Sequence, residues 1–205
     1  TGGEDWVGGL RYFVVADELR ELVPAKGPWT SLRSVLVTLG GSDPFRATPA
    51  VALALCAAHP DLSFTAVVGP GFAPDLAEET VALAKELPNL AAAVRPPNLG
   101  AHLLTADFAV VSGGQTKFEA ALFGVPSLIL SSGAQEAGLG RAFAGAGAAR
   151  YFGAAEGVDA AGLAVDLGRL RAEPGLLAAM SRRCRELIDV HGGERVLDHI
   201  RQKLS

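Results

Sequence analysis

The sequence contains little cysteine, the residue that forms the disulfides of small secreted domains and many structural zinc sites. Its two cysteines, Cys56 and Cys184, lie far apart and belong to no CxxC pair, so neither a disulfide framework nor a zinc site is predicted. We expect both thiols in the core, where cysteine behaves as a small apolar residue. No metal site and no cofactor are predicted.

An excess of positive charge and long apolar runs are also missing. Lys and Arg number 18 against 22 Asp and Glu, a formal net charge of −4, which supplies no basic field for a nucleic acid or an anionic membrane. No uninterrupted run of about 18 apolar residues occurs, and the N-terminus lacks the basic and apolar segments of a secretion signal. We therefore expect a cytoplasmic protein with no membrane span and no nucleic-acid partner. Since Thr1 is not a natural initiator, we also expect a fragment or an engineered chain.

The composition is that of one compact domain. Hydrophobic residues make up 49% of the 205 residues and charged residues 20%, enough apolar side chain for a sizeable core. From Ser34 to Gly153, short apolar runs alternate with helical patterns, as in βαβ units with a parallel sheet. We predict an α/β fold of Rossmann type: a doubly wound, mostly parallel six-stranded sheet with helices on both faces.

The predicted elements follow from this alternation. Strands are predicted at residues 34–40, 63–68, 90–94, 106–111, 126–130 and 149–152. Helices are predicted at residues 47–58, 75–87, 116–123 and 135–146, and again from residue 160 to the end. Residues 1–33 do not fit the rhythm and are interpreted as a connector, with a possible strand at Leu10 to Val15 and a linker at Pro24 to Trp29. Residues 34–205 are interpreted as the domain itself.

A first glycine-rich turn, Leu39-Gly40-Gly41-Ser42-Asp43-Pro44, directly follows the first predicted strand. Glycines let the backbone turn sharply and approach a ligand, and Ser42 with the free amides of the following helix N-terminus suits phosphate oxygens. The competing interpretation is a plain βα turn in which Ser42 or Asp43 caps the helix. Such a turn alone is weak evidence for a site.

A second turn, Ser112-Gly113-Gly114-Gln115-Thr116, follows another apolar strand and opens a helix. Two such turns in one parallel sheet place backbone amides at its carboxyl edge, where these folds bind ligands, so together they suit one diphosphate. Glu119 has two interpretations that the spacing does not separate: a capping box with Thr116, or a carboxylate that binds sugar hydroxyls. Lys117 is expected to be exposed.

Several segments of the sequence together resemble a known family. The segments TLGGSDP and ADFAVVSGGQTKFEAALFGVPSLIL, with a Gln-containing turn before a helix that ends in AGAGAARYFG, resemble the C-terminal domain of GT-B-type proteins. The likeness is greatest to the UDP-sugar hydrolase of pseudaminic acid biosynthesis and its spore-coat-polysaccharide relatives. The chain is more distantly similar to the GlcNAc transferase that makes lipid II.

The resemblance implies a UDP-sugar site at the carboxyl edge. By this likeness Gly40, Gly41 and Ser42 face the diphosphate. Glu119 holds the ribose, and the uracil rests on mainly backbone groups between Arg95 and Asn98. The residues implied to close over the diphosphate belong to the second turn: Gly113, Gly114, Gln115 and Thr116.

One position departs from the family. The hydrolases carry an Asn-Gln pair entering the helix after the fifth strand, and this chain has Gln135-Glu136. Since a carboxylate that faces a diphosphate repels it unless turned away or protonated, Gln135 is the residue carried over as a contact.

The resemblance places the catalytic residues of such an enzyme in an N-terminal domain, so they are unknown for this chain. The predicted function is donor binding, as one half of a nucleotide-sugar hydrolase or glycosyltransferase, with the N-terminal half in cis. Two alternatives stay open: a stand-alone donor subunit that needs a partner subunit in trans, and a non-catalytic nucleotide-sugar sensor or interaction module.

Overall fold

A computed structural model of the chain describes residues 7–23 and 31–204. The predicted connector, residues 1–33, is therefore described only in part, and the predicted linker at Pro24 to Trp29 lies outside the described residues. No helix in the described ranges is both long and apolar enough to cross a membrane.

The structure confirms the α/β fold and the six strands. The strands are β1 (Ser34–Thr38), β2 (Ser63–Val68), β3 (Leu90–Val94), β4 (Phe108–Ser112), β5 (Ser127–Ser131) and β6 (Ala149–Ala154). They form one sheet in the order β3-β2-β1-β4-β5-β6, and every neighbouring pair is parallel. The sheet, predicted as mostly parallel, is thus parallel throughout.

Nine α-helices occur in the described ranges. They are α1 (Asp17–Arg20), α2 (Thr48–Ala58), α3 (Pro74–Glu86), α4 (Gly100–Thr105), α5 (Thr116–Leu122), α6 (Ala134–Gly145), α7 (Ala160–Arg171), α8 (Pro174–Leu187) and α9 (Gly192–Leu204). The short α4 was not predicted, because six residues give too little apolar periodicity to recognise.

The central strands are apolar on both faces because helices cover both sides of the sheet. Along β4, Phe108 and Val110 pack into the core beneath α2 and α7, while Ala109 and Val111 pack into the core beneath α5 and α6. The two cysteines are buried and unpaired, one in each core, as predicted. Burial raises the pKa of the Cys184 thiol to about 12.

The prediction of a possible strand at Leu10 to Val15 is wrong. This segment contains a 3₁₀ turn at Leu10–Tyr12 and then leads into α1. Its apolar side chains pack on the α5 and α6 side of the sheet, where the rings of Phe13 and Phe118 lie 5.3 Å apart and Leu19 is buried. The segment lies over this face of the sheet and not beside an edge strand, so its backbone does not pair with one.

The turn after β2 supports the turn after β1. The amide of Gly71 donates to the carbonyl oxygen of Gly41 at 2.8 Å. A methyl group at Gly69 would overlap that same carbonyl group, so only glycine lets the two turns approach so closely. The backbone at Gly41 is thereby held from outside its own loop.

Gly69→Ala is expected to destabilise the protein by about 1–3 kcal/mol or more, because the added methyl group overpacks a buried backbone contact. Chemical denaturation measures the free energy of unfolding. Gly138→Ala is the matched control: it lies exposed within α6 with nothing within 4 Å of the added carbon, and it should stabilise by about 0.5–1 kcal/mol. Equal effects from both substitutions would contradict the close approach at Gly69.

Candidate functional site

The two glycine-rich turns meet at the carboxyl edge of the sheet. The first follows β1 and the second follows β4, and these strands are parallel neighbours, with Leu36 opposite Ala109. From this pair the strand order runs outward in both directions, which makes the crevice beyond β1 and β4 the topological switch point where open α/β sheets bind ligands.

Two adjoining cavities occupy this crevice. The Glu119 cavity, of about 550 Å³, is lined by Ala16, Glu18, Leu19, Thr38, Gly40, Gly41, Val67, Gly69, Pro70, Pro96, Pro97, Asn98, Leu99, Thr116 and Glu119. The Glu136 cavity, of about 450 Å³, is lined by Leu39, Gly40, Gly41, Ser42, Pro44, Ser112, Gly114, Gln115, Thr116, Ser132 and Glu136. They share Gly40, Gly41 and Thr116, so one extended ligand can reach from the first into the second.

The first turn offers less to an anion than its sequence suggests. Asp43 is buried, and its carboxylate accepts hydrogen bonds from the amides of Ala47, at 3.1 Å, and Thr48, at 2.8 Å. Asp43 therefore caps the start of α2 from outside the helix, whose N-cap position is Ala47, and the amides of Ala47 and Thr48 are not free for a ligand. What remains open to a ligand is the turn itself, where Gly40 has a φ of +94° that favours glycine.

The structure excludes one of the two interpretations of Glu119. Gln115, not Thr116, is the N-cap of α5, and no side chain caps this helix, so the capping box does not form. The Glu119 carboxylate lines the cavity instead and forms no hydrogen bond with the other described residues. Burial raises the pKa of this carboxyl. An under-solvated carboxylate in a cavity is available to accept hydrogen bonds from a ligand.

Lys117 is buried, and the expectation that it is exposed is wrong. Its side chain is 1% exposed, and Nζ donates to the carbonyl oxygens of Gly113 and Gly114, the latter at 2.6 Å. The ammonium also lies 4.1 Å from the centre of the Phe118 ring. Desolvation lowers the pKa of this lysine, and the Glu136 carboxylate partly offsets that effect. Loop carbonyls just before a helix supply the partners that make such burial tolerable.

Of the Gln135-Glu136 pair, the structure brings the glutamate to the cavity. Gln135 is exposed and lines neither cavity. The Glu136 carboxylate accepts from the amide of Ser132 at 2.8 Å and lies against Gly113. It therefore places a negative charge just before α6, where a bound anion would otherwise be favoured.

The segment between β3 and α4 forms one wall of the Glu119 cavity. Asn98 lines it, with Oδ1 accepting from the amide of Gly100 at 2.9 Å. Pro96 and Pro97 also line it and carry no N–H, so their backbone offers a ligand only carbonyl acceptors. Arg95 does not line the cavity; its φ is +46° and its amide donates to the carbonyl of Val68 at 2.8 Å.

Part of this cavity wall was not predicted from the sequence. Ala16, Glu18 and Leu19, from the segment interpreted as a connector, line the Glu119 cavity with Thr38 and Val67. No motif marks these residues, and they reach the cavity only because the N-terminal segment folds back over the sheet. Among the described residues, no group of three or more His, Cys, Asp and Glu side chains is placed to hold a metal ion.

Comparisons with known proteins identify the fold. No protein-family model and no curated protein sequence matches the chain. Among solved structures, it is similar to UDP-GlcNAc 2-epimerase from Neisseria meningitidis bound to UDP-GlcNAc, with 14% identity over 83% of this chain and 45% of that one, and a TM-score of 0.66.

Two further structures show the same likeness. MurG from Acinetobacter baumannii is 19% identical, with 94% of this chain and 53% of that one covered and a TM-score of 0.62. The glycosyltransferase VinC in complex with dTDP is 27% identical, with 92% and 44% covered and a TM-score of 0.60. The chain spans about half the length of the solved structures that it matches. Its fold is that of the Rossmann-like C-terminal domain of GT-B-type proteins.

Glu119→Gln is expected to stabilise the protein at neutral pH, because the substitution removes a partly buried charge. The folded pKa is raised above its ordinary value of 4.5, so folding binds a proton and the wild type loses stability as pH rises through the interval between the two values. The advantage of the variant should therefore vanish in acid and reach a plateau above the raised pKa. Thermal unfolding from about pH 4 to about pH 8 tests this.

Glu78→Gln is the matched control, since its side chain is exposed on α3 and its replacement should change stability little at any pH. A pH-independent difference between Glu119→Gln and the wild type would contradict the desolvation of Glu119.

Proposed function

We propose that this chain binds a UDP-sugar and is the donor-binding half of a nucleotide-sugar hydrolase or glycosyltransferase. The observation that carries the proposal is the convergence of two glycine-rich turns on two adjoining cavities at the switch point of the sheet. The Glu119 carboxylate, which forms no hydrogen bond with the other described residues, lines one of these cavities. Such a crevice suits an elongated ligand with a nucleoside at one end and a diphosphate at the other.

The nucleoside is assigned to the Glu119 cavity. Glu119 accepts hydrogen bonds from the ribose hydroxyls, since two carboxylate oxygens match a vicinal diol. The uracil lies against the segment from Arg95 to Asn98, where Asn98 lines the cavity and Arg95 stands outside it. A base held mainly by backbone groups and proline rings explains why the sequence carries no base-reading side chain here.

The diphosphate is assigned to the neighbouring Glu136 cavity. Gly40, Gly41 and Ser42 approach it from one side. Asp43 occupies the amides of Ala47 and Thr48, and Glu136 occupies the amide of Ser132, so the turn before α5 is the one we assign to the remaining contacts with the phosphate oxygens. The residues assigned from the second turn are Gly113, Gly114, Gln115 and Thr116. Gln135, which is exposed, is assigned to the part of the sugar that extends beyond the cavity.

The choice of a nucleoside diphosphate is supported by the solved structures, which hold UDP-GlcNAc in one case and dTDP in another. Those chains are about twice as long as the aligned part. We assign the reaction itself to an N-terminal half, present in cis or as a partner subunit in trans, that closes over the donor site and orients the anomeric carbon. Residues 34–205 then form the nucleotide-sugar-binding domain, and residues 1–33 the connector to the other half.

Isothermal titration of the purified chain with UDP, UDP-GlcNAc, GDP and NAD tests the proposal. Saturable binding of the uridine nucleotides is expected, with no binding of NAD. Glu119→Ala should weaken UDP binding by about tenfold or more, because a bidentate contact to the ribose is lost. The exposed Glu78→Gln should bind like the wild type. A folded sample that binds no uridine nucleotide would falsify donor binding by this chain.

Glu136→Gln is expected to tighten UDP binding about 3- to 10-fold, because it removes a negative charge beside the diphosphate while an amide oxygen still accepts from the Ser132 amide. The gain should shrink as salt is raised, since the effect is electrostatic. Unchanged or weaker UDP binding would contradict the placement of the diphosphate in the Glu136 cavity.

A further inference from the structure

Lys117 is a buried cation with no ion pair among the described residues. Burial of an ammonium group costs free energy unless its N–H groups are satisfied. Here two backbone carbonyl oxygens, those of Gly113 and Gly114, accept from Nζ, and the face of the Phe118 ring lies beneath it. The Glu136 carboxylate, which lies against Gly113, attracts the charge of Lys117 without a direct contact and partly offsets the effect of burial on its pKa.

The two hydrogen bonds fix the orientation of two successive peptide groups. No peptide in the described residues is cis, and in a trans peptide the N–H points opposite to the preceding C=O. With the carbonyls of Gly113 and Gly114 directed at Lys117, the amides of Gly114 and Gln115 point away from it. Gly114 and Gln115 line the Glu136 cavity, whereas Lys117 lines neither cavity.

We propose that Lys117 is a positioning residue, which turns the amides of Gly114 and Gln115 toward the Glu136 cavity to receive the oxygens of a diphosphate. This role rests on the proposed function and assigns the lysine a place in it that requires no contact with the ligand. Lys117 thus differs from a P-loop lysine, which contacts the phosphates directly, because it lines neither cavity and lies on the opposite side of the turn.

A glycine pair needs such a restraint. Glycine populates many backbone conformations, so nothing local prevents the peptide between Gly113 and Gly114 from rotating. A rotated peptide would present its carbonyl oxygen to the cavity, and that oxygen would repel a phosphate. Lys117 holds both carbonyls on the far side of the turn.

Titration of Lys117→Met, Lys117→Gln and the wild type with UDP and with uridine tests this role. Met fills the buried space without donors or charge, and Gln keeps N–H donors without the charge. Lys117→Met should weaken UDP binding by about tenfold or more while uridine binding, followed by ligand-observed NMR, stays within about twofold, because only the diphosphate uses the turn. Lys117→Gln, which is neutral and shorter than lysine, should bind UDP about three- to fivefold more weakly than the wild type, between the wild type and Lys117→Met. Lys85→Met, on the exposed face of α3, is the matched control and should bind both ligands normally.

The outcomes separate the two proposals. UDP binding by Lys117→Met or Lys117→Gln within about twofold of the wild type would overturn the positioning role and leave donor binding intact. A parallel loss of UDP and uridine binding would also overturn it, since that pattern marks a general structural role. If Lys117→Met does not fold, Lys117→Gln decides by the same comparison. A folded wild type that binds neither ligand would overturn donor binding, and with it the role of Lys117.

Discussion

The site depends on one constraint, the parallel pairing of β1 with β4. Their register brings the ends of both strands to the same edge of the sheet, so two glycine-rich turns separated by about 70 residues of sequence face each other. The buried side chains of these strands hold the pairing from both faces, and the contact between Gly71 and Gly41 supports the first turn from behind. The cavities exist because this framework leaves the crevice between the turns unfilled.

The electrostatics of the crevice are set by side chains that occupy backbone groups. Asp43 takes the amides at the start of α2 and Glu136 takes an amide before α6, so each covers a helix terminus with negative charge. Before α5 the arrangement is reversed, since a buried cation, Lys117, occupies two carbonyl oxygens of the turn. Glu119 in turn keeps its carboxylate in the neighbouring cavity although burial disfavours the charge. Such uncompensated groups are typical of sites that are completed by a ligand.

The fold and the proposed activity are supported to different degrees. TM-scores of 0.60 to 0.66 over most of the chain, at 14% to 27% identity, establish the architecture of a C-terminal GT-B domain. The same alignments cover only about half of each solved chain, and a shared fold does not by itself determine the reaction.

By itself the sequence determined the six strands, their parallel arrangement and the two turns at the carboxyl edge, because apolar runs and glycine-rich breaks are local patterns that report burial and backbone shape directly. It also indicated that Glu119 is either a cap or a ligand. Only the tertiary structure excluded the cap, excluded a strand at Leu10 to Val15, and showed that Lys117 is buried. Those outcomes depend on contacts between segments distant in sequence, such as Phe13 on Phe118, or on which carbonyls a turn leaves unsatisfied. Neither is encoded in the spacing of residues along the chain.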